Sequence, residues 1–163
     1  MGSLATIKVN PWNLNDRILL IGDAAHAVVP FFGQGANAAF EDALRLFEVY
    51  NETKNLSEAV VKFSALRRPS TDALAQLSLR NYTEMASHTA STSYVIKKTI
   101  ESMVHRILPS KFIPLYSMVS FTDIPYHKVI DRDLKQQKML RGAARLGAVL
   151  CGFGLAYISL EVF

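Results

Sequence analysis

The sequence predicts an α/β chain with one or two strands, mainly α-helices, and a membrane-anchoring helix at its C-terminal end. Three observations carry that prediction. A single short apolar run, "RILLI" at 17–21, is closed by Gly22 and Asp23. From Ala36 onward, apolar residues recur at helical spacing in segments punctuated by proline. Near the end, residues 146–160 carry no charge and follow a basic segment.

Taken in order, 17–21 reads as a buried strand of the parallel kind, feeding a loop at Gly22-Asp23. Pro30 prevents a helix from continuing through "AAHAVVPFF", and Gly33 and Gly35 make a permissive turn. A helix then runs from Ala36, with Phe40, Ala43, Leu44 and Phe47 on one stripe. Residues 57–68 and 70–90 read as two further helices, N-capped by Ser57 and Ser70 and separated by Pro69. Residues 93–108 form an amphipathic helix, and 109–125, with Pro109, Pro114 and Pro125, is irregular or partly extended. A basic helix follows from Tyr126 to Arg141. The expected divisions are 1–53, 54–125 and 126–163. One strand is not a sheet, so the run at 17–21 either docks on strands outside this chain or leaves its edges unpaired.

The 163 residues suffice for one ordinary domain, and with half of them hydrophobic and a fifth charged they can fill a core. The net charge of +4 is spread along the chain, which argues against nucleic acid as a partner. Cations concentrate only between Lys128 and Arg145, beside the uncharged run, and that arrangement suits a lipid surface. As a helix, 146–160 reaches about 22 Å, short of a hydrocarbon core of about 30 Å. Ala143, Ala144, Val162 and Phe163 lengthen it, with Arg145 snorkelling. The single cysteine, Cys151, fits a reducing compartment, where the sequons at Asn51, Asn55 and Asn81 stay unmodified. "MGSLAT" fits the permissive myristoylation pattern, and the region lacks the features of a secretion signal.

The stretch from Gly33 to Ala38 spells Gly-x-Gly-x-x-Ala, close to a dinucleotide fingerprint. That fingerprint requires its glycines directly after a strand, and here they come twelve residues later. The free N–H groups of the helix tip near Ala36 bind phosphate, or equally a carbonyl edge that becomes anionic. The N1–C2=O edge of a reduced flavin is such a group. Asp23 offers a carboxylate to sugar-alcohol hydroxyls, and Gly22 allows close approach to the backbone. His26 reads as a hydrogen-bonded structural residue rather than a catalyst. Glu41 and Asp42 read as first-turn stabilisers of the helix. His88, His105 and His127 share no metal-ligand spacing.

The stretch "GDAAHAVVPFFGQGANAAFEDA" resembles the Gly-Asp motif of the flavin-dependent aromatic hydroxylases, which share the para-hydroxybenzoate hydroxylase fold. Downstream, "FSALRRPSTDALAQLSLRNYTEM", "LPSKFIPLYSMVSF" and "YHKVI" resemble the kynurenine 3-monooxygenase branch of that family. The resemblance covers about residues 17–160 and implies a C-terminal part of the FAD-binding fold. It implies that FAD is held by Gly22, Asp23, Pro30, Gly35, Ala36 and Asn37. It implies an amino-acid substrate, L-kynurenine, held by Asn81 and Tyr116, with Phe31, Phe32 and Gln34 lining the space between flavin and substrate. The implied reaction is hydroxylation to 3-hydroxykynurenine with NADPH and O2. No general base is implied, because the substrate's amino group activates its own ring. The implied address is the mitochondrial outer membrane, facing the cytosol.

The family's Gly-x-Gly-x-x-Gly segment, and the arginine and tyrosine that grip the substrate carboxylate, have no counterpart here. The expected partner is therefore the N-terminal part of the same enzyme, and the chain by itself is expected to hold FAD weakly and to hydroxylate nothing. Two other readings stay open: a flavin hydroxylase for another aromatic or a quinone precursor, and a non-catalytic, membrane-bound interaction protein.

Overall fold

The computed structural model describes residues 4–88 and 91–161, without the side chains of 87–88 and 146–161. Its elements are β1 (Asn13–Leu14), β2 (Ile18–Leu19), α1 (Asp23–His26), α2 (Gly35–Thr53), α3 (Leu56–His88), α4 (Thr92–Ile107), α5 (Leu115–Phe121) and α6 (Tyr126–Glu161). They fall into two compact units, Met1–Ile130 and Asp131–Phe163.

The predicted strand is present, but it is neither parallel nor fully buried. β1 and β2 pair antiparallel, Asn13 opposite Leu19 and Leu14 opposite Ile18. The turn between them places Asn15 at φ 52°, the left-handed region that asparagine tolerates. Its carbonyl accepts from Asn13 Nδ2 at 2.7 Å. Ile18 and Ile21 are 53% and 43% exposed, while Leu19 and Leu20 pack on a cluster of Trp12, Ala25 and Phe63. A two-residue ladder covers one face of this segment and leaves the other open.

Helix α2 forms where expected, yet it turns a different face inward. Phe40, Leu44 and Phe47 are 75%, 54% and 61% exposed, and its buried residues are Ala38, Asp42 and Val49. A carboxylate is on the inner face because its hydrogen-bond partners lie there. The helix closes at Lys54, whose left-handed backbone N–H donates to the Tyr50 carbonyl at 2.8 Å.

The two helices expected at 57–68 and 70–90 are one helix, α3, with Pro69 inside it. Proline removes one hydrogen bond and crowds the preceding turn. Packing on both sides offsets that cost: Phe63 is fully buried in one cluster, and Leu74 and Leu77 are buried in another. Neither serine is a cap. Asn55 caps α3, its Oδ1 accepting from the N–H groups of Ser57 at 3.0 Å and Glu58 at 3.3 Å. Ser70 instead accepts from the Tyr126 N–H at 3.2 Å.

Helix α4 matches its prediction. The segment 109–125, expected to be irregular, contains the seven-residue helix α5 behind Pro114. A proline is tolerated there because the first helical N–H groups have no partner in any case. Met118 and Val119 bury this helix in a cluster with Phe32, Ala38, Leu74, Leu77 and Val129. Among the described residues no helix is long and apolar enough to cross a membrane. The anchor expected at 146–160 falls on residues whose side chains lie outside the description.

Candidate functional site

The site is organised from Gly22. Its backbone, at φ 58° and ψ −143°, lies in a region essentially restricted to glycine. A Cβ placed there would stand 3.3 Å from Ala39 Cβ, so the residue lies directly against α2. What approaches Gly22 is therefore a helix, and its N–H is taken as well, donating to Asp42 Oδ2 at 2.9 Å. The Gly22 carbonyl accepts from the N–H groups of Ala25 and His26 at 2.9 and 3.0 Å, forming α1. This leaves Asp23 exposed at the head of α1.

Asp42 is fully buried and gathers three donors. Besides Gly22, His26 Nε2 lies 2.5 Å from Oδ2, and Arg67 Nε donates to Oδ1 at 2.7 Å. Arg67 Nη2 reaches Glu41 at 2.7 Å and the Ala38 carbonyl at 3.2 Å. Burial by itself would raise the Asp42 pKa. The hydrogen bonds from His26, Arg67 and Gly22 outweigh it and hold the carboxyl below its ordinary value. His26 is buried with its ring 5.1 Å from that of Trp12, in keeping with the structural role read for it. Asp42, read as a first-turn stabiliser, sits two turns into α2 as an internal counter-ion. A sequence signal for this arrangement exists. Positions 63, 67, 70, 74 and 77 fall on one helical stripe, and reading it through Pro69 places Arg67 on the buried side of a single helix.

Between α1 and α2 the chain turns at Pro30, whose carbonyl accepts from the Gly33 N–H at 3.1 Å. Gly33 takes φ 66° with open space beside it: a Cβ there would meet nothing within 4 Å. At the start of α2, Gln34 is the N-cap and supplies no side-chain cap bond. Gln34 Oε1 instead accepts from Asn37 Nδ2 at 2.9 Å. Ala36 and Asn37 are exposed on this uncapped first turn. Gln34, Asn37, Glu41, Phe121 and Tyr126 are among the residues lining a cleft of about 400 Å³ beside it.

The predicted substrate residues other than Gln34, which sits at the α2 tip, make the following contacts. Asn81 Nδ2 donates to the Phe31 carbonyl at 2.7 Å, which ties α3 to the loop. The Phe31 ring lies 4.7 Å from that of Tyr82. Phe32 stacks on Tyr116 at 5.7 Å, and Tyr116 meets Phe121 edge-on at 6.1 Å. The rings fall into two groups, Phe31 with Tyr82 and Phe32 with Tyr116 and Phe121. Tyr116 is half exposed, whereas Phe32, expected to line the substrate space, is 4% exposed and belongs to the core around Met118, because its ring packs on buried apolar neighbours. Tyr82 was not anticipated from the sequence. Asp23 shares no hydrogen bond or ring contact with either group among the described residues. No cluster of three or more His, Cys, Asp or Glu side chains suited to a metal occurs among the described residues.

Comparison with known proteins gives this geometry a context. Residues 5–78 match the FAD binding domain family. Across 99% of its length the chain is 37% identical to a kynurenine 3-monooxygenase of Salinispora arenicola, covering 36% of that protein. The corresponding enzyme of Sus scrofa is 40% identical over 95% of the chain and 33% of its own length. That of Cytophaga hutchinsonii is 45% identical over 84% of the chain and 31% of its own length. By sequence, the chain is similar to the kynurenine 3-monooxygenases. It spans about a third of the length of the curated relatives it matches.

The residues present fit a flavin. An uncapped helix tip offers N–H groups, open space surrounds Gly33, and an exposed carboxylate stands at Asp23.

Proposed function

We propose that this chain forms one wall of the flavin and substrate site of an FAD-dependent monooxygenase that hydroxylates L-kynurenine to 3-hydroxykynurenine with NADPH and O2. The observation that carries the reading is the uncapped tip of α2, with Ala36 and Asn37 exposed, in a chain whose residues 5–78 match an FAD binding domain. The flavin, when bound and reduced, supplies the oxygen-activating chemistry. The chain's own residues hold and shield. The α2 tip directs N–H groups and a partial positive charge toward an edge that becomes negative. Asp23 accepts hydrogen bonds from the hydroxyls of the cofactor's sugar-alcohol chain. Phe31 and Tyr116 give an aromatic substrate an apolar wall and exclude water, with the buried Phe32 stacked behind Tyr116. Asn81, whose amide nitrogen is engaged with Phe31, keeps its oxygen to accept from a substrate amino group.

Titration of the chain with flavin mononucleotide, followed by amide NMR, tests the reading without turnover. The expected result is weak, saturable shifts centred on residues 33–38 and on Asp23, with the Asp23 component lost in Asp23→Ala. Shifts confined to other surfaces, or none at millimolar flavin, would sink it.

We also assign the chain to the cytosolic face of the mitochondrial outer membrane. Residues 146–160 would enter the lipid, with Lys135, Lys138, Arg141 and Arg145 on the cytosolic side. Alkaline carbonate treatment of membranes is expected to leave the chain in the pellet. Its release into the supernatant would refute the assignment.

A further inference from the structure

The Asp42 carboxylate lies where the Gly22 turn, α1, α2 and α3 meet, and each of its contacts fixes one of them. Oδ2 holds the Gly22 N–H at 2.9 Å and His26 of α1 at 2.5 Å. Oδ1 holds Arg67 of α3 at 2.7 Å. Arg67 in turn bonds the Ala38 carbonyl in the first turn of α2 at 3.2 Å. The result is that Gly22 sits against Ala39 closely enough that a Cβ would crowd it, at 3.3 Å.

We infer that Asp42, backed by Arg67, is the positioning residue of the flavin-facing turn. It fixes Gly22, and with it the neighbouring Asp23 carboxylate, against the first turns of α2, so that the acid and the open helix tip address one ligand together. This rests on the flavin reading above.

Two physical points separate the inference from a purely stabilising role. A buried charged cluster is a poor source of stability, since well-packed apolar residues of similar volume often replace one at no loss. What apolar residues cannot do is accept three hydrogen bonds in fixed directions. An asparagine has only one acceptor oxygen and adds two donors of its own, so it does not satisfy three converging donors either.

The test uses the paired substitution Asp42→Leu with Arg67→Met in the full chain, which removes both charges together and leaves neither buried alone. Two measurements are made. One is the nuclear Overhauser contact between Gly22 Hα and the Ala39 methyl group, and the other is the titration with flavin mononucleotide. Val49→Ala, also buried in α2 but outside the cluster, is the stability control.

The paired variant is expected to lose the Gly22–Ala39 contact. Its flavin-induced shift at Asp23 should need at least tenfold more flavin, while that at Asn37 persists. Val49→Ala is expected to keep both. If the paired variant does not fold, Asp42→Glu serves instead, since it keeps the charged carboxylate while the extra methylene displaces the Gly22 bond. A folded variant with the Gly22–Ala39 contact and the Asp23 shift intact would overturn the inference. Absence of any flavin shift in the parent chain would refute the flavin reading, and the Overhauser contact would still decide whether Asp42 positions the turn.

Discussion

Asp42→Asn is expected to destabilise the chain by about 3–5 kcal/mol at pH 7, the range for removing one partner of a buried ion pair. Arg67, buried at 5% exposure, would keep only the partly exposed Glu41 as a carboxylate partner, and the Gly22 N–H would face an amide rather than an anion. Against a total stability of about 5–15 kcal/mol for a domain, such a loss is large. The pH dependence has a definite sign. The folded pKa of Asp42 lies below its ordinary value of 3.8. Its ionisation therefore contributes fully above about pH 4. The contribution is lost as the pH falls through the folded pKa. Urea unfolding of both proteins from pH 7 down to pH 3 should show the stability gap closing below about pH 4. A gap that stays constant to pH 3 would mean that the carboxylate is not the source of the difference.

Phe63→Ala is expected to cost about 3–5 kcal/mol through lost burial and the cavity it leaves. The side chain is fully buried, with its ring centroid 6.1 Å from that of Trp12. Trp12 is the only tryptophan, so its fluorescence reports this cluster directly. The expected result is a lower unfolding midpoint in urea with a red-shifted native emission, as water reaches the Trp12 environment. A loss under about 1 kcal/mol would mean that the cluster collapses into the space without a lasting void. Trp12 also lies beside His26, so the two predictions probe adjoining parts of one interior. Phe63→Ala should lower stability by a similar amount at pH 7 and pH 5, because the residue has no charge to titrate.

Much of the local structure around the candidate site was legible in the sequence. The Gly22-Asp23 pair, the turn at Pro30 and Gly33, and the helix opening at Gly35 all follow from residues whose preferences act locally. Phe31, Phe32 and Tyr116 were each named from the resemblance to known hydroxylases; Phe32 and Tyr116 do stack, but Phe32 is buried in the core. The inward face of α2 was not legible. Phe40, Leu44 and Phe47 form the more apolar stripe, yet they are exposed while Asp42 is buried. Hydropathy alone selects the wrong stripe, because the donors that make a buried carboxylate acceptable lie 16, 20 and 25 residues away in sequence. Pro69 misled for a related reason. Its local cost is real, but the burial of Phe63 on one side and of Leu74 and Leu77 on the other holds the helix together across it.

The amino-acid sequence by itself determined the helices α2 and α4, the start of α6, and the turn at Pro30 and Gly33, but neither α1 nor α5. Those properties depend on side chains within about one helical turn of each other. Tertiary structure decided which face of α2 is buried, that residues 56–88 form one helix, and that Asp42 is the internal counter-ion joining them. Burial and ionisation are settled by partners distant in the chain, whose arrival no local pattern records.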